Sequence, residues 1–154
     1  MKKVNTNNFK KTLSKFSTGI TVVCVKNNNS IYGKTVNSFN SLSLNPPMVL
    51  FSLGNYSSSI KQFSKTKFLS INILSSKQKK LSENFATTTP NLEDIKFIEG
   101  NNKTVIIPNC IANLECKLVD KIKKGDHIIF ICKILELQSN DKLKPLLYFN
   151  SKYF

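Results

Sequence analysis

Arginine is absent from this chain of 154 residues. All 23 basic residues are therefore lysines, and with only nine acidic residues they give a formal net charge of +14. Arginine carries the two-pronged fork that grips phosphate and guanine, and the lysines are scattered from Lys2 to Lys152. The charge predicts a solvated surface that helps to attract anionic cofactors, with no nucleic-acid partner. A basic barrel that binds nucleic acid stays the alternative, although most phenylalanines occupy core-like positions and not stacking positions.

Histidine and carboxylates are too scarce for several kinds of hydrolase. His127 is the only histidine, so a Ser-His-Asp triad or a pair of catalytic carboxylates is poorly supplied. The motifs GxGxxG, GxxxxGK[ST], HExxH and GxSxG do not occur, which argues against a Rossmann nucleotide site, a P-loop, a zinc protease and a hydrolase elbow. A chain with so few titratable groups is expected to leave its chemistry to a cofactor.

Metal-ligand spacing and long apolar runs are also missing. The four cysteines form no CxxC pair, and most of them lie in apolar or alternating runs. We interpret them as small buried hydrophobic residues in a reducing cytoplasm, with no metal site. The N-terminal MKKVNTNNFKK precedes no long apolar stretch. We therefore expect no signal peptide, no membrane partner and a cytoplasmic location.

The length predicts one domain over residues 1–154, and the pattern predicts a mainly β fold. Helical spacing occurs at 8–16, capped by Thr6 or Asn8, after the serines 57–59, and at 78–86. The remaining apolar segments read as six or seven strands, joined by turns and by a polar loop at 87–109. They are 20–25, 31–39, 48–53, 68–74, 111–119, 127–137 and 146–149. Many short neighbouring strands indicate an antiparallel barrel with two or three short helices.

Two polar clusters are candidates for a binding site. Residues 33–39 (GKTVNSF) concentrate hydroxyl and amide groups at the end of a strand, which would match the polar edge of a flavin ring. Residues 53–59 (LGNYSSS) precede a predicted helix, where hydroxyls and free amides suit a phosphate. The alternatives are turn-forming residues on an exposed strand for the first cluster and simple helix capping for the second.

Taken together and in order, the segments of the chain resemble a known family. The segments are FKKTLSKFSTGITVVCV, YGKTVNSFNSLSLNPPMVLFSL, SSSIKQFSKTKFLSINIL, QKKLSENFA, GDHIIFICKI and PLLYF. This series, from about Phe9 to Tyr153, looks like the flavin reductase-like family of FMN-binding split barrels. The resemblance implies an NAD(P)H-dependent reductase that binds FMN or FAD. Such an enzyme passes hydride from NADH or NADPH to flavin N5 and supplies reduced flavin to a partner monooxygenase.

The resemblance also implies a role for individual residues. The residues that it implies along the flavin ring and ribityl chain are Thr35, Val36, Asn37 and Ser38, with backbone contacts from Ser52 and Leu53. It places Ser58 and Ser59 at the phosphate, and Phe85 and Ala86 where the protein closes over the flavin. His127 and Tyr153 would lie on the nicotinamide side. It further implies a homodimer with the flavin at the subunit interface. For His127 the alternative is a structural residue that makes one hydrogen bond, and in either case we expect positioning and not acid–base work.

Departures from the family pattern leave a second function open. Residues 150–152 replace the turn expected after PLLYF, and any arginine that grips phosphate or NAD(P)H must be replaced by lysine or lost. The alternative is therefore a flavin-binding protein without reductase activity, used for electron transfer or storage. Reduction of bound flavin by NADH distinguishes the two functions.

Overall fold

The computed structural model describes residue 1 and residues 3–154. The described chain has three short α-helices, α1 (Thr6–Leu13), α2 (Ile60–Lys65) and α3 (Lys79–Ala86), with a 3₁₀ turn at Ser76–Gln78 before α3. None of these helices is long and apolar enough to cross a lipid bilayer.

The first helix begins earlier than its apolar spacing predicts. Asn5 has extended backbone angles, and its side-chain oxygen accepts the amide hydrogen of Asn8 at 2.9 Å. The prediction that Thr6 or Asn8 is the N-cap of α1 was wrong. Both residues lie within the helix, whereas an N-cap residue has non-helical backbone angles.

Twelve strands are present in the described residues. In chain order they are β1 (Thr18–Gly19), β2 (Thr21–Asn27), β3 (Ser30–Val36), β4 (Asn40–Leu44), β5 (Pro47–Gly54), β6 (Phe68–Ile73), β7 (Ile98–Glu99), β8 (Val105–Ile106), β9 (Ala112–Lys124), β10 (His127–Ser139), β11 (Leu147–Phe149) and β12 (Lys152–Tyr153).

The long strands form one antiparallel sheet that confirms the mainly β prediction. Its seven strands are ordered β3-β2-β6-β9-β10-β5-β4, and small sheets of three and two strands hold the short segments. The chain runs directly from edge strand β3 to edge strand β4, which brings residues 37–39 between the two edges. That connection contains the last residues of the first polar cluster, whose residues 33–36 belong to β3.

Strand β2 is buried on both faces, which explains its unbroken apolar run. Val23 and Val25 belong to one hydrophobic core, whereas Val22 and Cys24 belong to a second. Alternate side chains of a strand point to opposite faces. A strand between two cores therefore needs an apolar residue at every position.

Three phenylalanines fill the centre of the first core. The rings of Phe51 and Phe130 are stacked with centroids 5.1 Å apart, and Phe63 from α2 packs edge-on against both. All three side chains are completely buried. This packing holds β5 and β10 together beneath the residues that end β5.

The segment 87–109 has more structure than the polar loop that we predicted. Strands β7 and β8 pair within it, and buried side chains tie it down. The amide hydrogen of Ile107 is donated to Asn72 Oδ1 at 3.0 Å, and Asn113 Nδ2 donates to the same oxygen at 2.8 Å. These partners lie far away in the sequence, so local pattern gives no sign of them.

Two further differences concern exposed strands. Strand β4 was not predicted as separate, because its NSLSL sequence is mostly exposed and covers no core. Strand β9 extends to Lys124, five residues beyond the predicted end at 119, because its last residues pair with β10 although they are exposed. Backbone pairing can extend a strand past the point where burial marks it in the sequence.

Candidate functional site

A surface cavity of about 380 Å³ lies where the end of β3, the end of β5 and the start of β10 meet the segment after α3. This volume is within the range of about 300–1,000 Å³ that is usual for small-molecule sites. The residues that line it are Lys34, Thr35, Val36, Asn37, Ser38, Ser52, Leu53, Gly54, Tyr56, Ser57, Ser58, Ala86, Thr87, Thr88 and His127.

Ser38 joins the two sides of this cavity. Its hydroxyl accepts the amide hydrogen of Ser52 at 3.0 Å and donates to the carbonyl oxygen of Ser52 at 3.1 Å. Strand β4 pairs with β5 only as far as Leu50, so Ser52 lies beyond the last strand partner on that side. The Ser38 hydroxyl therefore takes the place of a neighbouring strand for this residue.

Thr35 and Asn37 present different chemistry on either side of Val36. The Thr35 hydroxyl donates to the carbonyl oxygen of Ser82 in α3 at 2.6 Å, which anchors β3 to that helix. Asn37 is exposed, and its amide group has no hydrogen-bond partner among the described residues. An amide offers both donors and an acceptor. Asn37 is thus free to bind a polar ligand edge.

Another part of the cavity wall carries hydroxyl groups and a lysine. Ser58 Oγ donates to the carbonyl oxygen of Thr88 at 2.9 Å, and Lys34 Nζ donates to that of Thr87 at 2.6 Å. Ser57 Oγ is buried and has no partner among the described residues. Because the Ser57 oxygen is enclosed by the chain itself, the polar groups here that a ligand can reach belong to the exposed Ser58 and the half-buried Lys34.

His127 stands at the first position of β10, next to the end of β5. It pairs with Gly54, and the backbone of the preceding Asp126 accepts the amide hydrogen of Asn55 at 2.9 Å. The His127 Nδ1 lies 2.8 Å from Asp126 Oδ1, and the imidazole is 43% exposed. The hydrogen bond to His127 holds the pKa of Asp126 below its ordinary value. An ionised carboxylate only accepts, so Nδ1 is the donor and the ring orientation is fixed.

The structure brings most of the predicted site residues to this one cavity. Those that line it are Thr35, Val36, Asn37, Ser38, Ser52, Leu53, Ser58, Ala86 and His127. They come from segments separated by up to 92 positions in the chain, between 35 and 127. Convergence of separate segments on one cavity is what a binding site requires.

Ser59, Phe85 and Tyr153 do not line the cavity. Ser59 is buried at the start of α2, and its side chain makes no capping hydrogen bond. The Phe85 ring is completely buried, and its Cε1 lies 2.4 Å from the position that a Cβ on Gly33 would occupy. Phe85 therefore packs against β3 at Gly33. Direct contact of these three residues with a ligand stays a prediction.

Tyr153 is connected to the cavity through α3. Its hydroxyl lies 3.0 Å from Ser82 Oγ, and Ser82 is the residue whose carbonyl oxygen accepts from Thr35. Ser82 is completely buried. Sequence analysis missed Ser82, because a serine in a short amphipathic helix gives no indication that it bonds to both Thr35 and Tyr153.

Other lining residues could have been found more easily. Lys34 and Ser57 lie inside the two polar clusters of the sequence, but no role was assigned to either. Thr87 and Thr88 belong to the predicted polar loop. Their contribution is through backbone carbonyls, which the residue type does not reveal.

The cysteines are not part of the site. Cys24, Cys110, Cys116 and Cys132 are all buried and unpaired. Burial raises the pKa of each thiol, to about 11 for Cys110, so the nucleophilic thiolate is disfavoured. The described residues also contain no group of three or more side chains suited to a metal ion.

Residues 13–154 match the family model described as the flavin reductase like domain. The chain belongs to the flavin reductase-like family. It is 34% identical to an FMN reductase (NADH), SmoA, of Agrobacterium fabrum over 137 residues, which is 89% of this chain and 79% of the relative. It is 30% identical to the reductase component of a 4-hydroxyphenylacetate 3-monooxygenase of Thermus thermophilus, over 94% of this chain and 93% of that protein.

The fold of this flavin reductase-like chain agrees with a solved structure. The flavin reductase PheA2 superimposes with a TM-score of 0.92 at 34% identity, covering 98% of this chain and 97% of the other. The residues of the cavity also fit a flavin. Asn37 is free to pair with a polar ring edge, and the Ser58 hydroxyl and the Lys34 ammonium suit an anionic group.

Proposed function

We propose that this protein is an NAD(P)H:flavin oxidoreductase that binds FMN, with FAD as an alternative substrate or cofactor. The observation that carries the proposal is the single cavity in which predicted flavin-binding segments of a flavin reductase-like chain meet. Relatives named as an NADH-dependent FMN reductase and as monooxygenase reductase components support it. We further propose that the reduced flavin serves a separate flavin-dependent oxygenase.

The residues of the cavity divide the work between binding and positioning. When bound, flavin supplies the redox chemistry by taking hydride from NAD(P)H at N5. Asn37 binds the polar edge of the ring beside the wall that Ser38 and Ser52 form, and Ser58 binds the phosphate end. His127, held by Asp126, positions the nicotinamide at the other side of the cavity.

A homodimer with the flavin at the subunit interface forms part of the proposal. Large apolar side chains of α1 and of the segment after it remain uncovered, with Phe9 57%, Leu13 53% and Phe16 74% exposed. Leu44 at the end of edge strand β4 is 94% exposed. Phe9 and Leu13 line one surface groove, and exposed apolar surface of this kind is typical of an interface. We also propose a cytoplasmic location and a single domain over residues 1–154, supported by the unpaired cysteines and by the family match over 13–154.

The proposal is tested by following NADH or NADPH oxidation by absorbance, with FMN, FAD or riboflavin added to the purified protein. We expect oxidation that depends on both protein and flavin and exceeds the rate in a protein-free control. Flavin binding without turnover, and without bleaching of the flavin band by NADH in the absence of oxygen, would support the electron-transfer or storage protein. Neither binding nor turnover would overturn both functions.

A further inference from the structure

Lys34 places an unneutralised positive charge in the wall of the cavity. Its ammonium group donates to the carbonyl oxygen of Thr87, and no carboxylate of the described residues lies within salt-bridge distance of it. None of the lining residues is acidic. Burial lowers the pKa of Lys34, which means that its charge is partly removed from water. A partly desolvated cation with no counter-ion is available for an anionic ligand.

The ammonium lies close to the hydroxyl groups at one end of the cavity. Lys34 and Ser58 donate to the carbonyl oxygens of consecutive residues, Thr87 and Thr88. Consecutive Cα atoms are about 3.8 Å apart, so the two donors are held within one short stretch of backbone. Ser57, whose buried hydroxyl has no partner among the described residues, lines the same cavity. The Lys34 ammonium and the Ser58 hydroxyl are thus both anchored to residues 87–88 of the cavity wall.

We propose that Lys34 binds the phosphate of the flavin and makes this protein selective for phosphorylated flavins over riboflavin. The inference rests on the proposed function, and it deepens that function by naming the substrate class. An ammonium has three N–H donors, and the Thr87 carbonyl uses only one of them. In a chain without arginine, the cationic side chain available for a phosphate is lysine, which acts as a point charge.

A purely structural role for Lys34 makes a different prediction. If the side chain serves only to fix Thr87, its loss disturbs the cavity for every flavin, with or without phosphate. Selectivity between FMN and riboflavin therefore separates the two roles, because these ligands differ only in the phosphate group. The wild-type protein already provides a first measurement of that selectivity.

The experiment compares wild type with Lys34→Met, Lys34→Arg and the control Lys61→Met, which removes an exposed lysine of α2 outside the cavity. Dissociation constants for FMN and riboflavin come from quenching of flavin fluorescence, and KM for NADH comes from steady-state turnover. We expect Lys34→Met to weaken FMN binding about tenfold while riboflavin binding changes less than about twofold. Lys34→Arg should keep most of the FMN affinity, and Lys61→Met should match wild type.

Several results would overturn the inference. They are equal losses for FMN and riboflavin in Lys34→Met, no loss for either, and a change confined to KM for NADH. If Lys34→Met does not fold, ionic strength tests the wild type: salt should weaken FMN binding and leave riboflavin binding unchanged. Equal salt responses, or wild-type riboflavin binding as tight as FMN binding, would contradict it. A wild type that reduces flavins but shows no such selectivity overturns this inference alone, whereas a wild type that binds no flavin overturns the proposed function too.

Discussion

Hydroxyl side chains in the cavity wall have two different duties. The Ser38 hydroxyl both donates to and accepts from the Ser52 backbone, and the Thr35 hydroxyl donates to α3. These groups shape the wall through contacts within the chain. The exposed Asn37 amide lacks such a partner among the described residues and is free to bind a ligand, whereas the unpaired Ser57 hydroxyl is enclosed by the chain. A sequence motif alone does not distinguish shaping groups from binding groups.

His127 is the residue whose proposed role is most easily separated from flavin binding. We expect His127→Ala to raise KM for NADH about tenfold, because loss of the imidazole removes one interaction worth roughly 1.4 kcal/mol. The dissociation constant for FMN should change little. Steady-state kinetics and fluorescence quenching provide the two numbers.

Asp126→Ala supplies the companion variant for His127. The carboxylate fixes the imidazole at 2.8 Å but does not line the cavity, so its loss should give a smaller rise in KM of the same kind. A fall in kcat in His127→Ala with KM unchanged would contradict a positioning role. Loss of FMN affinity would instead assign His127 to the flavin.

At the scale of elements, the contact between β3 and α3 decides where the cavity wall lies. Gly33 is buried in β3, and the Phe85 ring occupies the space where a side chain on Gly33 would lie. Two residues further along β3, Thr35 donates to Ser82 of the same helix. The position of the Thr35–Ser38 segment therefore depends on how closely α3 approaches the strand.

We expect Gly33→Ala to destabilise the fold by about 1–3 kcal/mol, because the new methyl group overlaps a fully buried ring that has no room to move. Urea unfolding measures the change. Gly19→Ala is the matched control, since nothing lies within 4 Å of its Cβ position. Equal stability of the two variants would show that α3 can shift freely, and the close-packing argument would then fail.

At the scale of the whole molecule, one buried carboxylate anchors the segment that covers the second core. Glu115 accepts hydrogen bonds from the amide groups of Asn101 and Asn102, from the Asn102 side chain and from Thr104 Oγ1. Burial alone would raise the pKa of Glu115, but these hydrogen bonds outweigh it and hold the pKa below its ordinary value of 4.5. The ionised form is therefore favoured by folding.

The free energy of unfolding should consequently depend on pH through Glu115. A folded-state pKa below the ordinary value of 4.5 contributes stability that is fully present above that value and is lost as pH falls through the folded pKa. We expect Glu115→Gln to lower stability near neutral pH by about 1.5–3 kcal/mol and to reduce the loss on acidification.

Urea unfolding at a series of pH values measures both effects of Glu115→Gln. Glu93→Gln, which changes an exposed glutamate, serves as the control for the lost negative charge in a strongly basic protein. Parallel pH profiles for wild type and Glu115→Gln would contradict the assignment. So would an equal loss of stability in the two variants.

The sequence by itself determined the strands that bury side chains and the polar clusters between them. The run 20–25 indicates a strand because β2 lies between two cores. Thr35, Asn37, Ser38 and residues 57–58 are polar where a continuing core would require apolar residues. Apolar residues indicate buried positions and turn-forming residues indicate turns, so both features can be predicted from short segments of the sequence.

Only the tertiary structure decided which of these groups face one another. Edge strand β4, the pairing of β7 with β8 and the bonds of Glu115 and Asn72 all depend on partners distant in the chain or on exposed backbone. The same holds at the site, where Phe85 lies behind β3 and Lys34 lies in the cavity wall. Hydrogen bonds and close packing between distant segments depend on three-dimensional distances. The residue types along the chain do not specify which distant residues come into contact.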